Sequence, residues 1–149
     1  MKVSMTTIKI KKINPEAIIP QKNSLSAAGY DLYANNFEEV KINPQETKLI
    51  GTGIALEIPE GHVGLIYARS GLATKEGLAP ANKVGVIDPD YRGEVLVSLF
   101  NQSNITRKIT PGQRIAQLVF MEVPETSLEE VEELSKSQRE TGGFGSTGK

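Results

Sequence analysis

The sequence of 149 residues contains no cysteine and a single histidine, His62. Without cysteine a chain has no disulfide framework, no thiol nucleophile and no thiolate metal site. Any metal ion must therefore be held by oxygen atoms or by His62, which leaves hard cations such as Mg²⁺ as candidates. His62 follows Glu60 and Gly61 at a predicted turn, with no second histidine or acid pair beside it, and we interpret it as surface structure.

The chain also lacks an excess charge of either sign and long apolar runs. It has 17 Lys+Arg against 18 Asp+Glu, a formal net charge of −1. A dedicated nucleic-acid binder needs a basic face, and an acidic disordered chain needs an excess of carboxylates, so neither class fits. No segment approaches the roughly 18 apolar residues of a membrane span, and residues 1–12 lack the apolar centre of a secretory signal. We expect a cytoplasmic protein that contacts no membrane and forms one domain.

The 14 glycines and 8 prolines are scattered along the chain, as many short strands joined by turns require. Apolar side chains recur with a period of two, most clearly in Glu94–Asn101. There Val95, Val97 and Leu99 point to one face, and the opposite face is also largely apolar, which predicts a central strand buried on both sides. The same alternation predicts strands near 8–12, 56–58, 63–67 and 114–120. The sequence therefore predicts an all-β sandwich or barrel.

Helix is scarce in this prediction. The segment Ser70–Glu76 could form about two turns. Ser127 and Glu130 have the spacing of a capping box that opens onto Leu128, Val131 and Leu134, and the same residues are compatible with an extended segment. Residues 141–149 hold four glycines, the composition of a flexible tail. We predict a β core over about 1–137 and a Gly-rich C-terminal arm over 138–149.

Arginine and glycine occur together in several blocks. Four of the five arginines lie within four residues of a glycine. Arginine offers a rigid fork for phosphate oxygens, and glycine lets backbone N–H groups approach an anion closely. In the first block, Arg69-Ser70-Gly71, the guanidinium, hydroxyl and N–H groups could form an anion cradle. The alternative is an ordinary surface turn with Ser70 capping a helix.

The second block runs from Gly85 to Glu94 and places three carboxylates, Tyr91 and Arg92 between two predicted strands. One carboxylate could act as a general base, and the tyrosine ring could serve as a packing platform. The alternative is an Asp-Pro-Asp turn whose acids only cap backbone N–H groups.

The third block, residues 139–148, places Phe144 among glycines and hydroxyl side chains. A loop that closes over a planar ligand and its phosphates needs this mixture of ring, N–H groups and hydroxyls, so the block is typical of a lid. The alternative is a solvated tail or linker.

Taken in order, the blocks are very similar to the signature segments of the homotrimeric dUTPase family. The similarity extends from about residue 8 to the C-terminus, and five segments occurring in the family's order leave little room for coincidence. The five segments are 28–32 (AGYDL), 68–73 (ARSGLA), 85–93 (GVID through YRG), 112–118 (GQRIAQL), and Arg139 with 142–148.

The resemblance implies hydrolysis of dUTP to dUMP and diphosphate with Mg²⁺, by attack of water on the α-phosphate. It implies a homotrimer of distorted jelly-roll subunits, each with one short helix and an extended C-terminal arm, whose active sites lie between chains. Such an activity limits uracil in DNA and supplies dUMP for thymidylate synthesis. No protein ligand to Mg²⁺ is implied directly, since the substrate phosphates mainly hold the ion.

Carried over by position, Asp88 resembles the acid that orients and deprotonates the attacking water, and Tyr91 the ring that packs on deoxyribose. Asn82 and the backbone around Val86, Ile87 and Leu96 resemble the hairpin that reads uracil. Further matches to phosphate contacts are Arg69, Ser70, Gly71 and Gln117.

In the arm, Phe144, followed by Gly145, resembles the ring that covers the uracil, with Arg139, Ser146 and Thr147 on the terminal phosphates. Asp31 matches the family's first-motif acid, which is either structural or linked to the metal through water. Pro89 replaces the small or acidic residue of many relatives, a change that stiffens the loop and removes no functional group.

Two alternatives differ in class. A dCTP deaminase has a similar fold and hairpin but needs a further acid on the strand after the hairpin, and residues 95–99 contain no carboxylate. A catalytically silent nucleotide-binding module would lack the acid at position 88, which is present here.

Overall fold

The structure is a computed structural model that describes residues 4–148, so the ends of the predicted domain, residues 1–3 and 149, lie outside the described residues. Short strands dominate, and the predicted all-β class with one short helix is confirmed. The elements in chain order are β1 (Lys9–Lys12), β2 (Tyr30–Tyr33), β3 (Val40–Ile42), β4 (Thr47–Glu57), β5 (His62–Tyr67), α1 (Ser70–Glu76), β6 (Leu78–Pro80), β7 (Gly85–Ile87), β8 (Glu94–Asn101), β9 (Arg107–Ile109) and β10 (Arg114–Glu122).

The strands form two four-stranded antiparallel sheets and one two-stranded pair. The strand order is β1-β4-β8-β6 in the first sheet and β2-β10-β5-β7 in the second, and β3 pairs with β9. Strand β8 lies between β4 and β6, as its apolar character predicts. In the second sheet β10 lies between β2 and β5, so the segments that follow or precede these three strands are neighbours in space.

Strand β4 has an irregularity at Gly53. It pairs with β8 up to Gly51 and again at Ala55, with a register shift between the two, and its second half also pairs with β1. Gly53 has a φ of 71°, and a Cβ there would lie 2.5 Å from Asn35 Oδ1. Only glycine fits such a position, because other residues are strained at positive φ and would also clash.

The core lies where the inner faces of the sheets pack together. It contains aliphatic residues from all the longer strands, and Leu32, Ile54, Leu99 and Ile115 have no exposed surface. A single cluster joins them, with Leu72 of α1 packed at its edge. Burial of aliphatic side chains at a period of two explains why these segments adopt strands.

Asn101 is a fully buried polar residue at the end of β8. Its Nδ2 donates to the carbonyls of Ile42 and Ile105, both at 2.9 Å. Its Oδ1 accepts from the backbone N–H of Ser103 at 2.9 Å and from the Ser103 hydroxyl at 2.7 Å. Because every polar atom of the side chain is satisfied, Asn101 ties the end of β8 to β3 without an unpaired buried group.

The prediction that β8 is buried on both faces is wrong. Val95, Val97 and Leu99 are buried, but Leu96 on the opposite face is 42% exposed. Leu49, on the same outer face of the neighbouring strand β4, is 67% exposed. Nothing within residues 4–148 covers this apolar surface, so the strand is buried by its own chain on one side only.

The capping box at Ser127 does not start a helix, because residues 123–137 contain no helix or strand. Leu128 is fully exposed, and Val131 and Leu134 are also exposed. An isolated short helix is marginal in water, and these apolar side chains have no surface of their own chain to pack against. The extended alternative is therefore the one observed. No helix within the described range is long and apolar enough to cross a membrane.

Candidate active site

The turn after β7 carries the predicted catalytic carboxylate. Asp88 directly follows Ile87 and is exposed. The backbone N–H of Tyr91 donates to the Asp88 carbonyl at 3.2 Å, which closes the turn over Pro89 and Asp90. In the part of the chain that the structure describes, the Asp88 carboxylate has no protein hydrogen-bond partner. It is therefore free to accept a hydrogen bond from water.

Tyr91 is held by its hydroxyl group and keeps part of its ring exposed. The hydroxyl donates to the Glu94 carbonyl at 2.7 Å, and the residue is 43% exposed. Gly93 makes room for the ring, because a Cβ at that position would lie 2.6 Å from the Tyr91 hydroxyl oxygen and 2.8 Å from Cζ. A ring fixed at one end with exposed surface can pack against an apolar face of a ligand such as a sugar.

Arg92 fastens this turn to strand β4. Its Nη1 donates to the carbonyls of Pro89, at 2.5 Å, and Tyr91, at 3.3 Å. Its Nη2 lies 3.5 Å from Glu57, which also pairs with Lys9 at 3.1 Å. The hydrogen bond and charge of Lys9, together with the charge of Arg92, hold the pKa of the Glu57 carboxyl below its usual value. The carboxylate therefore stays ionised beside the turn at neutral pH.

The residues expected to read a base surround the turn between β6 and β7. The Lys83 N–H donates to the Pro80 carbonyl at 3.0 Å, with Lys83 at a φ of 66°. Asn82 is exposed, and its Nδ2 lies 3.4 Å from where a Cβ on Gly85 would be. Val86 is exposed, whereas the Ile87 side chain is buried, so Ile87 can offer a ligand only its backbone.

Val86 and Asp88 line a cavity of about 720 Å³. Glu60 and Glu125 also line it, and no lysine or arginine does. His62, interpreted from the sequence as surface structure, is half-buried in this wall, with Nδ1 3.1 Å from the Glu60 carbonyl. Pairing of β5 with β7 brings it there, a contact without any local sequence signal. Such an acidic wall repels phosphates, so cations for a polyphosphate must come from elsewhere.

Cationic groups lie beyond the far end of β5. Arg69 is the N-cap residue of α1, and Ser70 and Gly71 are exposed. Arg69, Lys75 and Arg114 line a cavity of about 330 Å³ together with Gly71 and one acid, Glu76. A Cβ on Gly71 would meet no atom within 4 Å, so packing within this chain does not require glycine there. Close approach of a ligand or another chain is a reason that fits.

Asp31 lies behind these cations and is 7% exposed. Its Oδ1 accepts from Arg69 Nε at 3.1 Å, and its Oδ2 lies 3.7 Å from Arg114 Nη1. Gln117, which pairs with Asp31 across the β2–β10 ladder, donates from Nε2 to the Ala68 carbonyl at 2.9 Å. Gln117 thus lies beside the backbone that precedes Arg69. Arg114 is a member of this cluster that sequence reasoning did not select, although its position in the fourth signature segment was a usable signal.

One chain does not bring the carboxylate and the cations together. Gly64 pairs with Ile87, so Asp88 lies level with Val63 at the start of β5, whereas Arg69 follows the end of that strand. Six residues of extended chain span roughly 20 Å. This separation is longer than an aspartate and an arginine side chain can bridge.

The predicted arm does not join either group. Residues 121–141 are exposed, and Phe144 is fully exposed. The backbone bonds of the arm are local, from Gly142 to Arg139 at 3.0 Å and from Ser146 to Gly143 at 3.0 Å. Phe144 and Gly145 both have positive φ, at 53° and 85°. Thr147 is exposed as well. In the described range the arm therefore presents its side chains to solvent or to another chain.

The dUTPase family model matches residues 15–148. The chain belongs to the dUTPase family. The deoxyuridine 5'-triphosphate nucleotidohydrolase of Nautilia profundicola is 51% identical over 142 residues, which cover 95% of this chain and 99% of that protein. The protein of the same name from Clostridioides difficile is 44% identical over 144 residues, covering 97% of this chain and 99% of that one. The resemblance drawn from the five segments, and with it the expectation of a dUTPase-type enzyme, is confirmed.

Solved structures of the family share this fold. The dUTPase of Staphylococcus bacteriophage 80alpha, solved with dUPNHPP, aligns with a TM-score of 0.88 at 32% identity over 97% of this chain and 99% of that one. A mutant dUTPase from phage phi11 of S. aureus, described with a structural Mg(II) ion, aligns with a TM-score of 0.77 at 30% identity over 86% and 98%. The expected jelly-roll-like dUTPase subunit is thereby confirmed.

Proposed function

We propose that this protein hydrolyses dUTP to dUMP and diphosphate. The proposal rests above all on Asp88, an exposed carboxylate on a braced turn beside a half-exposed tyrosine, in a chain of the dUTPase family. Such a reaction would lower the supply of dUTP to DNA synthesis and provide dUMP for thymidylate. Since β8 contains no carboxylate between Val95 and Leu99, the deamination of dCTP is not favoured.

In the proposed mechanism Asp88 acts as general base. Its carboxylate accepts a proton from a bound water molecule while the water oxygen attacks the α-phosphorus of dUTP. The bond from that phosphorus to the bridging oxygen of the diphosphate breaks, and diphosphate leaves with the electron pair. A positioned base of this kind contributes roughly 10²- to 10⁴-fold to rate. The free carboxylate oxygens of Asp88 support this role.

Recognition of the nucleoside is assigned to the β6–β8 region. The exposed part of the Tyr91 ring packs on deoxyribose and obstructs a 2'-hydroxyl, which excludes ribonucleotides. Asn82 and the backbone around Val86, Ile87 and Leu96 read the uracil edge. Fixed donors and acceptors at that edge separate uracil from cytosine better than an apolar pocket would.

The phosphates are assigned to Arg69, Ser70, Gly71 and Gln117. A guanidinium fork, a hydroxyl and backbone N–H groups suit phosphate oxygens, and the open space beside Gly71 permits close approach. A magnesium ion would enter with the substrate, as the Mg²⁺ complex of dUTP. Phosphate oxygens are the hard ligands that Mg²⁺ prefers, so the substrate itself can hold the ion.

We infer further that the site is shared between subunits of a homotrimer. The roughly 20 Å between Asp88 and Arg69 along β5 means that one chain cannot supply both groups to one phosphate chain. The uncovered apolar face with Leu49 and Leu96 offers a surface for a neighbouring subunit. Phe144 would cover the uracil of a neighbour's site, with Gly145 beside it and with Arg139, Ser146 and Thr147 on the terminal phosphates. Twelve terminal residues can span roughly 40 Å, far enough to reach it.

Diphosphate release from dUTP, dCTP, dTTP and UTP, with and without Mg²⁺, tests the function. We expect release from dUTP with Mg²⁺ and little from the other nucleotides, and no ammonia from dCTP. The Asp88→Asn variant tests the role of the carboxylate, because it preserves the shape of the side chain and removes the base. Its dissociation constant for dUpNHpp, the dUTP analogue present in the phage 80alpha structure, should stay within about tenfold of the value for the unaltered protein. Its turnover of dUTP should fall at least about 100-fold. Ammonia release from dCTP, or near-normal turnover by D88N, would contradict the proposal.

A further inference from the structure

Asp31 is a buried carboxylate placed between two guanidinium groups. Oδ1 accepts from Arg69 Nε at 3.1 Å, and Oδ2 lies 3.7 Å from Arg114 Nη1. Oδ2 is itself buried and has no hydrogen-bond partner within the described residues. A buried carboxylate is costly unless its charge is compensated, so its burial depends on both arginines.

Three distant chain segments build this arrangement. Asp31 lies on β2, Arg114 begins β10, and Arg69 follows β5. The bond from Gln117 to the Ala68 carbonyl fixes the backbone just before Arg69. Gly29 leaves room for the Gln117 amide, because a Cβ there would lie 2.5 Å from Oε1. The position of the Arg69 side chain is therefore set by the register of the β2-β10-β5 ladder.

The cluster leaves donors free on the side of the cavity. Arg69 uses Nε for Asp31, and within residues 4–148 its two Nη groups have no protein acceptor. Arg114 Nη1 also donates to Asn23 Oδ1 at 3.3 Å. Two guanidinium groups and one carboxylate leave a net positive charge, and both arginines line the cavity with Lys75. A guanidinium held through Nε presents its Nη fork in a defined direction, which suits bidentate binding of a phosphate.

We propose that Asp31 and Arg114 are positioning residues for Arg69. Asp31 orients the Arg69 fork, and Arg114 compensates the remaining charge of Asp31 and fixes it in place. The inference rests on the proposed function, in which Arg69 contacts the phosphates of dUTP. It also explains how a charged Asp31 can be buried, since each of its oxygens faces a guanidinium group.

The test compares D31N, R114Q and R114K with the unaltered protein. D31N and R114Q should lower kcat/KM for dUTP roughly ten- to hundredfold and weaken dUpNHpp binding in parallel, since hydrogen bonds to charged groups carry that magnitude. R114K should recover part of the loss by restoring the charge. The control is E39Q, which breaks the exposed pair between Glu39 and Lys108 at 3.4 Å and should leave kcat/KM unchanged.

A double-mutant cycle with R69Q separates positioning from general destabilisation. If Asp31 and Arg114 act through Arg69, adding D31N or R114Q to R69Q should cost little further activity, whereas a merely structural loss would be additive. Folding is checked by circular dichroism, and if D31N does not fold, the R114Q and R69Q cycle provides the same test.

Each failure has its own signature. An unaltered protein that does not hydrolyse dUTP overturns the proposed function. If the unaltered protein hydrolyses dUTP normally, either of two results overturns the positioning roles alone: unchanged kcat/KM in D31N and R114Q, or additive losses in the cycle.

Discussion

Mixing two inactive variants should restore activity if the active site is shared between subunits. Asp88→Asn removes the proposed base at one end of β5, and Arg69→Gln removes the proposed phosphate ligand beyond the other end. Because these positions lie roughly 20 Å apart along the strand, a site completed by two subunits takes one group from each. A mixed trimer can then contain a site with Asp88 from an R69Q chain and Arg69 from a D88N chain.

The size of the recovery follows from random assembly. At equal amounts, the subunit that supplies Asp88 is intact at that position in one half of the sites, and the same holds independently for Arg69. About one quarter of the sites should therefore be complete, and activity should return to about 25% of the unaltered value. Each variant alone should retain no more than about one hundredth of the activity.

The assay is diphosphate release from dUTP after equal amounts of the two chains are refolded together, with unmixed oligomers left in the sample; different tags on the two chains verify in a separate aliquot that mixed oligomers have formed. Unaltered protein refolded with the D88N/R69Q double variant serves as the control. It should also give about a quarter of full activity for a shared site, but about one half if each site belongs to one chain. Mixed oligomers without recovered turnover would refute the shared site, and so would an active monomer in sedimentation.

Three further outcomes are expected. Gly93→Ala should raise KM for dUTP about tenfold with little change in thermal stability, because its Cβ would lie 2.6 Å from the Tyr91 hydroxyl oxygen and displace the ring; unchanged steady-state kinetics would contradict a sugar-packing role. Truncation after residue 141 should reduce turnover and leave the circular dichroism spectrum and melting temperature unchanged, since residues 142–148 make only local backbone bonds; an unfolded product would show that the removed segment supports the core. Asn101→Ala should lower the free energy of unfolding by about 2 kcal/mol in urea titrations at fixed protein concentration, because it removes the donor of the buried bond to the Ile42 carbonyl; a loss below about 1 kcal/mol would mean that water replaces the amide.

Local patterns were sufficient for most of the secondary structure. The period of two predicts β5 and β8, and the segment Ser70–Glu76 forms the helix expected of it. These predictions succeed because alternating apolar side chains fit only a strand with one buried face. The capping box at Ser127 failed for the opposite reason, since its apolar residues have no partner surface in the same chain.

The candidate site also combines features set by neighbouring residues with features set by long-range contacts. The turn from Asp88 to Gly93 is determined by neighbouring residues: the Tyr91 ring needs the adjacent glycine, and its hydroxyl bonds three residues on. The motifs therefore identify the turn without further knowledge. They do not show that Arg114 meets Asp31, that His62 faces the cavity of Asp88, or that the outer face of β8 stays uncovered.

The sequence by itself determined the all-β class, the family and the identity of the chemical groups, because each depends on residues close together along the chain. Only the tertiary structure decided which groups meet. The pairing of β10 with both β2 and β5 buries Asp31 between two arginines, and the length of β5 keeps Asp88 away from Arg69. Strand register is set by long-range packing of the core, and no local pattern encodes it.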